Sequence, residues 1–510
     1  MNSTIDQLNA RIREVVDLRR AADLLEWDER VCMPSGGAPT HGEMLSTVRK
    51  LAHEQFTAAE VGRLLDAAER ELATADPDAD STRLVAVTAR DYRKAAQVPP
   101  AFVAEQAEAV SAAQHAWGEA RAKNDFASFR PHLERVIALK RRYVSFFPPA
   151  DHPYDVLLDD FEPGMKTVEV KEILDELRKG QVQLLRAIAA RPQIDDACLR
   201  VPYAEADLDK FAVEVITKFG FDWERGRQDR STHPFATAIG SNDVRITTRF
   251  MERYPFSLLF GTMHETGHAL YEQGVSRAHH RTQLEGGASL GVHESQSRLW
   301  ENLVGRSRSF WEYFYPALQE RFPTQLRGVT LDHFYRAVNK VQPSLIRVEA
   351  DEATYNLHVM MRVELEIAIV EGKLGVAGLP AAWNDLIEDY LGVRPPDDAT
   401  GVLQDIHWSA GLFGYFATYT LGNLISAQLW ERFGAVDPER DAAIRRGDFS
   451  KLLSWLRREV HQYGRKYQPQ ELVQRAAGSK IDPGPYLRYL QGKFGEIYGI
   501  ASSSLSVAGS

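Results

Sequence analysis

Cysteine is nearly absent from this chain. Cys32 and Cys198 are the only two among 510 residues, too few for a disulfide framework and compatible with a reducing compartment. No stretch reaches about 18 uninterrupted apolar residues, so no membrane-spanning helix is expected. The first residues show no basic segment followed by an apolar one, so no signal peptide is visible and a cytoplasmic location is expected. Positive charge is in deficit. A net charge of −10 argues against partners such as nucleic acid or an anionic membrane surface. Internal repeats and long linkers are missing as well. The breaks at Asp76-Pro77-Asp78, Pro148-Pro149, Arg394-Pro395-Pro396 and Asp482-Pro483-Gly484-Pro485 are too short to tether independent domains. A chain this long exceeds one simple core. The expectation is one multi-lobed body over residues 1–500, with a small polar tail, 501–510, that is disordered.

What is present is mostly helical periodicity. Ile5, Leu8, Ile12 and Val15 form one stripe behind Ser3 and Thr4 as candidate caps, and Phe129, Leu133, Val136 and Ile137 form another. Val170 to Ile188 carries a third, with Thr167 as its expected N-cap, and the Ala-rich segment from Ala101 to Lys123 reads as helix. The clearest strand runs from Val244 to Phe250, where apolar residues alternate with Arg245, Thr247 and Arg249. That alternation places Asp243, Arg245 and Thr247 on one side. The fold class expected is mainly α, with a small β-sheet near the motif described next.

His264-Glu265-Thr266-Gly267-His268 has the spacing of a metal-binding helix. Residues four apart lie on one helix face, so both imidazoles can reach one ion. Glu265 stands on the same turn, where a carboxylate can take a proton from a water polarised by that ion. Phe256 to Leu270 is apolar and closed by Gly274, which puts both histidines on a largely buried helix. A catalytic zinc needs a third protein ligand and one open position. His279, His280, Glu285, His293 and Glu294 are the candidates. Glu294 is favoured because Leu290 to Val304 has a helical pattern, and its separation from His268 (294 − 268 = 26 residues) suits a loop and a returning helix. Some zinc peptidases carry an aspartate four residues beyond such a glutamate to orient a ligand histidine. Arg298 occupies that position here, so another group, with Glu301 one option, must serve.

Two later segments carry more polar chemistry than a fold requires. Helical spacing over Ile346 to His358 puts Arg347, Asp351 and His358 on roughly one face, although an ordinary i,i+4 surface pair would look the same. The second runs from Gly401 to Trp408 and includes Gln404, Asp405 and His407, followed by Tyr415 and Tyr419.

Taken together, these residues carry a family resemblance. His233-Pro234-Phe235, Asp243-Val244-Arg245-Ile246-Thr247, His264 to His268, His293-Glu294-Ser295-Gln296, Ile346 to Asp351 and Gly401 to Trp408, with Glu26-Trp27-Asp28 ahead of Met33-Pro34, occur in an order similar to the carboxypeptidase Taq family of zinc metallocarboxypeptidases. The resemblance runs over nearly the whole chain. It implies a large helical saddle or clamshell, zincin-like, with a deep groove walled on one side by the N-terminal helices. It further implies a cytoplasmic homodimer that releases C-terminal residues from peptides with broad specificity but handles C-terminal proline poorly. Zinc is the implied metal, with cobalt able to substitute. By matching positions, His264, His268 and Glu294 are the implied ligands and Glu265 the general base.

The same resemblance suggests His407 and Tyr419 as donors to the tetrahedral oxyanion, a role that a His and a Tyr about a dozen residues apart fill in related helical zinc peptidases. An exopeptidase also needs a cation for the substrate's free carboxylate. Arg347 is favoured, with Arg245 close behind. The strand carrying Asp243, Arg245 and Thr247 offers a backbone edge to which a substrate could add as a further strand. The rival readings are an endo-acting zinc oligopeptidase and, from another class, a zinc-stabilised binding protein without turnover.

Overall fold

The computed structural model describes residues 3–501; of the tail expected over 501–510, all but Ala501 lies outside the described residues. Among the described residues there are twenty α-helices and three short strands, the mainly helical fold with a small sheet that the sequence led us to expect. No described helix is long and apolar enough to cross a membrane. The chain groups into two compact units, each assembled from separated stretches of sequence.

The first unit comprises the described part of Met1–Ala96, together with Asp196–Tyr335 and Leu429–Gly478. Its first helix, Thr4–Val31, starts at Ser3, whose hydroxyl accepts from Asp6 N–H while the Asp6 carboxylate accepts from Ser3 N–H, satisfying two otherwise orphaned donors. Leu8, Ile12, Val15 and Val16 bury into a cluster with Phe56, Val61, Leu65 and Val85. The three strands also lie here, in the order Gly226–Arg230, Asp243–Thr248, Ala236–Gly240. The middle strand pairs in parallel with the first (Arg227 opposite Arg245) and antiparallel with the last (Thr237 opposite Arg245). Both of its backbone edges are therefore occupied. The expected addition of a substrate strand at Asp243–Thr248 is not possible, because no N–H or C=O row is left to pair. The strand also stops at Thr248, two residues short of the Phe250 that alternation suggested.

Val244 and Ile246 on this strand pack with Ile216, Phe221 and Ala269. Ala269 belongs to the long helix Ser257–Gly274, so the sheet serves as a floor under the helix that carries His264 and His268. A second helix, Leu290–Arg298, capped by Ser289 Oγ accepting from Val292 N–H, runs directly into a π-helical stretch, Leu299–Val304. The sequence had read as one continuous α-helix over that whole span.

The second unit comprises Gln97–Asp195, Arg336–Gln428 and the described part of Ser479–Ser510. Helices Pro100–Lys123 and Phe126–Val144 pack together, the latter burying Phe129, Leu133, Val136 and Ile137. Thr167 is the first residue of Thr167–Ala189 rather than its cap. Its N–H and hydroxyl both bond Asp155 Oδ1, a tertiary partner that local propensity does not reveal. The helix expected through Arg347, Asp351 and His358 is corrected too. Arg347–Glu349 is a single 3₁₀ turn, Ala350 is extended, and the α-helix begins only at Tyr355. The Asp351 carboxylate folds forward onto the N–H groups of Ala353 and Thr354, an alternative to helix that short acidic side chains favour. Arg347 and Asp351 consequently do not share a helix face.

Candidate metal centre

The helix Ser257–Gly274 presents His264 and His268 one turn apart, and Leu290–Arg298 presents Glu294 beside them. Their approach depends on Gly267. A Cβ built there would lie 2.5 Å from Gln296 O and 2.5 Å from Ser297 Cα, so only glycine lets the two backbones come this close. Nε2 of His264 and Nε2 of His268 each lie 3.5 Å from Glu294 Oε2, and one ligand atom from each residue falls within 4.8 Å of the others. Tetrahedral ligands on bonds of about 2.1 Å sit about 3.4 Å apart. The nitrogen–oxygen edges match that spacing, and two imidazoles with one carboxylate are a donor set suited to zinc. This is the one such group among the described residues.

The outward atoms of His264 and Glu294 are tied down. His264 Nδ1 lies 2.9 Å from Glu301 Oε2, and Glu294 Oε1 accepts from Arg298 Nε at 2.6 Å. Arg298 also reaches Glu301 Oε2 with Nη1 at 3.3 Å. A nitrogen held by a partner on one side leaves the other free to face an ion. The electrostatics follow from this packing. Burial pushes Glu265 up to about 7, and the negative charge of Glu294 adds to that. Burial works against charge on Glu294, but Arg298 and His264 outweigh it and hold the carboxylate well below its usual range. The same balance, with Arg298 first, brings Glu301 down to about 2. Burial also pulls His268 down to about 3. On His264 burial is overcome by Glu294 and the bond to Glu301, so its pKa is raised.

In the second unit a separate polar cluster surrounds Asp405. Arg347 donates to Oδ1 through Nε (3.1 Å) and Nη2 (2.8 Å), and Arg362 donates to Oδ2 through Nε at 2.7 Å. Arg347 Nη1 also donates to Tyr355 Oη at 2.8 Å. His407 Nε2 lies 3.2 Å from Tyr419 Oη, and Arg347 stacks 4.9 Å over the Tyr419 ring. Burial, then the charge of Arg347, pulls His407 down to about 3, so it is neutral at physiological pH. Two guanidiniums face one carboxylate in this buried cluster. Burial pushes the nearby Glu366 up to about 7, although Arg362 works in the opposite direction. An excess of buried positive charge remains, which an anion would relieve.

The profile of the carboxypeptidase Taq (M32) metallopeptidase family matches residues 7–494. The chain belongs to that family. It is 42% identical to thermostable carboxypeptidase 1 of Thermus thermophilus over 96% of this chain and 97% of the relative. It is 37% identical to thermostable carboxypeptidase 1 of Pyrococcus furiosus over 97% and 99% respectively. The crystal structure of an M32 carboxypeptidase from Deinococcus radiodurans superposes with a TM-score of 0.95 at 43% identity, covering 98% of this chain and all of that one. Like these relatives, this member of the carboxypeptidase Taq family is a metallocarboxypeptidase, a peptide hydrolase.

Within this family member, the expected residues fall as follows. His264, His268 and Glu294 meet, with Glu265 buried on the same helix. Of the other ligand candidates, Glu285 accepts from Ser241 N–H and Arg281 N–H and pairs with Arg20, and His280 leans on Glu285. His279 is buried apart in its own 3₁₀ turn, and His293 faces His268. Asp243 and Arg245 form a two-pronged ion pair at 2.8 Å per contact, with Arg245 4.3 Å over the Trp27 ring. Thr247 is fully buried and its hydroxyl accepts from Phe235 N–H. Sequence reasoning missed Asp405 as the counter-ion of Arg347, although it stands inside a quoted motif. The two lie 58 residues apart, beyond any local periodicity.

Proposed function

We propose that this chain is a zinc-dependent carboxypeptidase whose metal is held by His264, His268 and Glu294 and whose general base is Glu265. The observation that carries the reading is the pair of 3.5 Å edges from the two Nε2 atoms to Glu294 Oε2, with a buried carboxylate of raised pKa on the adjacent residue. When bound, the ion supplies Lewis acidity and lowers the pKa of a water toward neutrality. Glu265 takes the proton as that water attacks the scissile carbonyl, then returns it to the leaving amine. His407 and Tyr419 donate to the oxyanion that develops. Cobalt substitutes for zinc in the same donor set.

Arg347 is assigned to the substrate's free carboxylate, supported by the excess positive charge shared with Arg362 and Asp405. Arg245 is the weaker candidate, because Asp243 already neutralises it face to face. Asp243 contributes to substrate binding by holding Arg245 in place, and Thr247, fully buried, contributes by shaping the strand that carries both. Broad specificity with poor handling of C-terminal proline, a cytoplasmic location, a single multi-lobed body and a homodimer complete the proposal. Paired peptides with free and amidated C-termini, digested with and without chelator and read by mass, test it. Removal of single C-terminal residues from the free form alone, abolished by chelator, is expected. Internal cleavage of both forms would establish the endopeptidase instead.

A further inference from the structure

We propose that His293 and Glu272 form a positioning dyad that fixes the tautomer and ring plane of His268, so that the two ligand histidines are held in chemically different ways. The inference rests on the reading of His264, His268 and Glu294 as metal ligands. If His268 turns Nε2 to the ion, its remaining proton sits on Nδ1. That N–H faces His293 Nδ1 at 2.6 Å, which must then accept. The single proton of neutral His293 is thereby placed on Nε2, 2.8 Å from Glu272 Oε1, which accepts it. Each ring is left with one compatible tautomer, and Glu272 ends the chain of hydrogen bonds.

The dyad also laces together the two helices that carry the ligands. His268 and Glu272 stand one turn apart on Ser257–Gly274, while His293 comes from Leu290–Arg298, immediately before the ligand Glu294. The His293 ring is clamped in place. A Cβ on Gly287 would lie 2.6 Å from its Cδ2, and the Tyr271 ring is 5.2 Å away, itself anchored where Tyr271 Oη accepts from Ala288 N–H at 3.1 Å. His264 differs in kind, because its Nδ1 meets the Glu301 carboxylate directly. A carboxylate-backed imidazole is the more basic ligand, and an imidazole-backed one owes its orientation to a relay that must itself be oriented. A filler of similar volume at 293 would preserve packing but not the proton order.

The test compares His293→Gln with His293→Leu, and Glu272→Gln with Glu272→Met, with His264→Ala as reference. The readouts are the zinc dissociation constant by chelator competition, the electronic absorption spectrum of the cobalt-loaded protein, and the melting temperature of the metal-free protein. Glutamine at 293 can accept from His268 through its amide oxygen and donate to Glu272 through its amide nitrogen. The leucine variant is expected to weaken zinc binding by about 10–100-fold and shift the cobalt bands. The glutamine variant is expected to stay within a few-fold of wild type. A leucine variant that binds both metals as wild type does, or a glutamine variant no better than leucine, would overturn the dyad. Should His293→Leu fail to fold, the Glu272 pair decides: binding lost with Met and kept with Gln supports the dyad, and equal binding by both overturns it. His264→Ala binding zinc normally would overturn the ligand reading itself, and the dyad with it.

Discussion

The Cα of Ser297 lies where a side chain on Gly267 would have to be, 2.5 Å from the position of its Cβ. The glycine of the metal motif is thus a contact between ligand helices rather than a flexible joint. Its φ lies outside the left-handed region, so the constraint is steric. Gly267→Ala forces the helices apart at backbone atoms that cannot rotate away. A loss of at least about 1–3 kcal/mol in unfolding free energy is expected, together with weaker zinc binding because Glu294 moves with Ser297. Denaturant unfolding and chelator competition on the same preparation check both effects. Unchanged zinc affinity would mean that the ligand spacing does not depend on this approach.

Glu265 is buried beside the three ligand atoms without being one of them. Glu265→Gln should therefore keep the metal and lose the chemistry. A fall of about 10²–10⁴-fold in kcat is expected from loss of the proton acceptor, with zinc content near one per chain by elemental analysis. Full turnover in this variant would remove Glu265 from the mechanism, and loss of metal would make it a ligand.

Proton release on metal binding follows from the raised pKa values. Glu265 is pushed up to about 7 and His264 is raised as well, so at about pH 6.5 the metal-free site holds protons that a divalent cation must expel. His268, down at about 3, contributes none. Raised pKa values mean that protons compete most at low pH. Release should be greater at about pH 6.5 than above about pH 8, and apparent zinc affinity should rise over the same interval. Calorimetry in buffers of different ionisation enthalpy counts the protons. Glu265→Gln should lower the count at the acid end of that interval. An equal count at both ends would contradict these pKa directions.

The two arginines separate by charge balance. Arg245 shares one carboxylate, Asp243, on its own strand, whereas Arg347 shares Asp405 with a second arginine. Two charge-assisted bonds to a substrate carboxylate contribute about 1.5–3 kcal/mol each. Arg347→Ala should accordingly lower kcat/KM on a blocked dipeptide by about 10²–10⁴-fold. Arg245→Ala should cost only a few-fold. The reverse order in steady-state kinetics would transfer the role to Arg245.

How far the sequence carried depends on whether a feature is local. The ligand helix was legible because i,i+4 spacing, an apolar run and Gly274 all lie within one element. Glu294 was legible through the helical pattern that begins at Leu290, and Glu301 was among the groups foreseen as a partner for a ligand histidine. The π-helical turn over Leu299–Val304 was not legible. Its residues fit an α-helix equally well, and the close approach that follows it, where a Cβ on Gly305 would meet Met263 Sδ at 2.4 Å, is a tertiary contact that local periodicity does not register. Arg347 to His358 misled for the opposite reason. The helical spacing is real, but Asp351 prefers the N–H groups just ahead of it, and Arg347 is drawn away to Asp405. His293 stood among the ligand candidates because a histidine beside a ligand glutamate offers the same atoms whether it faces the ion or another ring.

Asp405 makes acid stability informative about the second unit. Burial alone would raise its pKa, but Arg347 and Arg362 overcome that and hold it far below the usual carboxylate range. A depressed folded-state pKa contributes stability that is present above the unfolded value, about 4, and is lost as pH falls toward the folded one. Asp405→Asn removes the charge that Arg347 and Arg362 share, leaving those two buried guanidiniums under-compensated, at a cost of about 3–5 kcal/mol at neutral pH. The gap between wild type and Asp405→Asn in denaturant unfolding should be constant from about pH 8 to 5 and begin to close only below about pH 4. If the gap closed already between neutrality and about pH 5, Asp405 would be titrating near an ordinary or raised pKa, and the two arginines would not be its effective partners. If it stayed open at about pH 3 and below with no change, the amide would be disrupting packing, and the charge of Asp405 would contribute nothing to the fold.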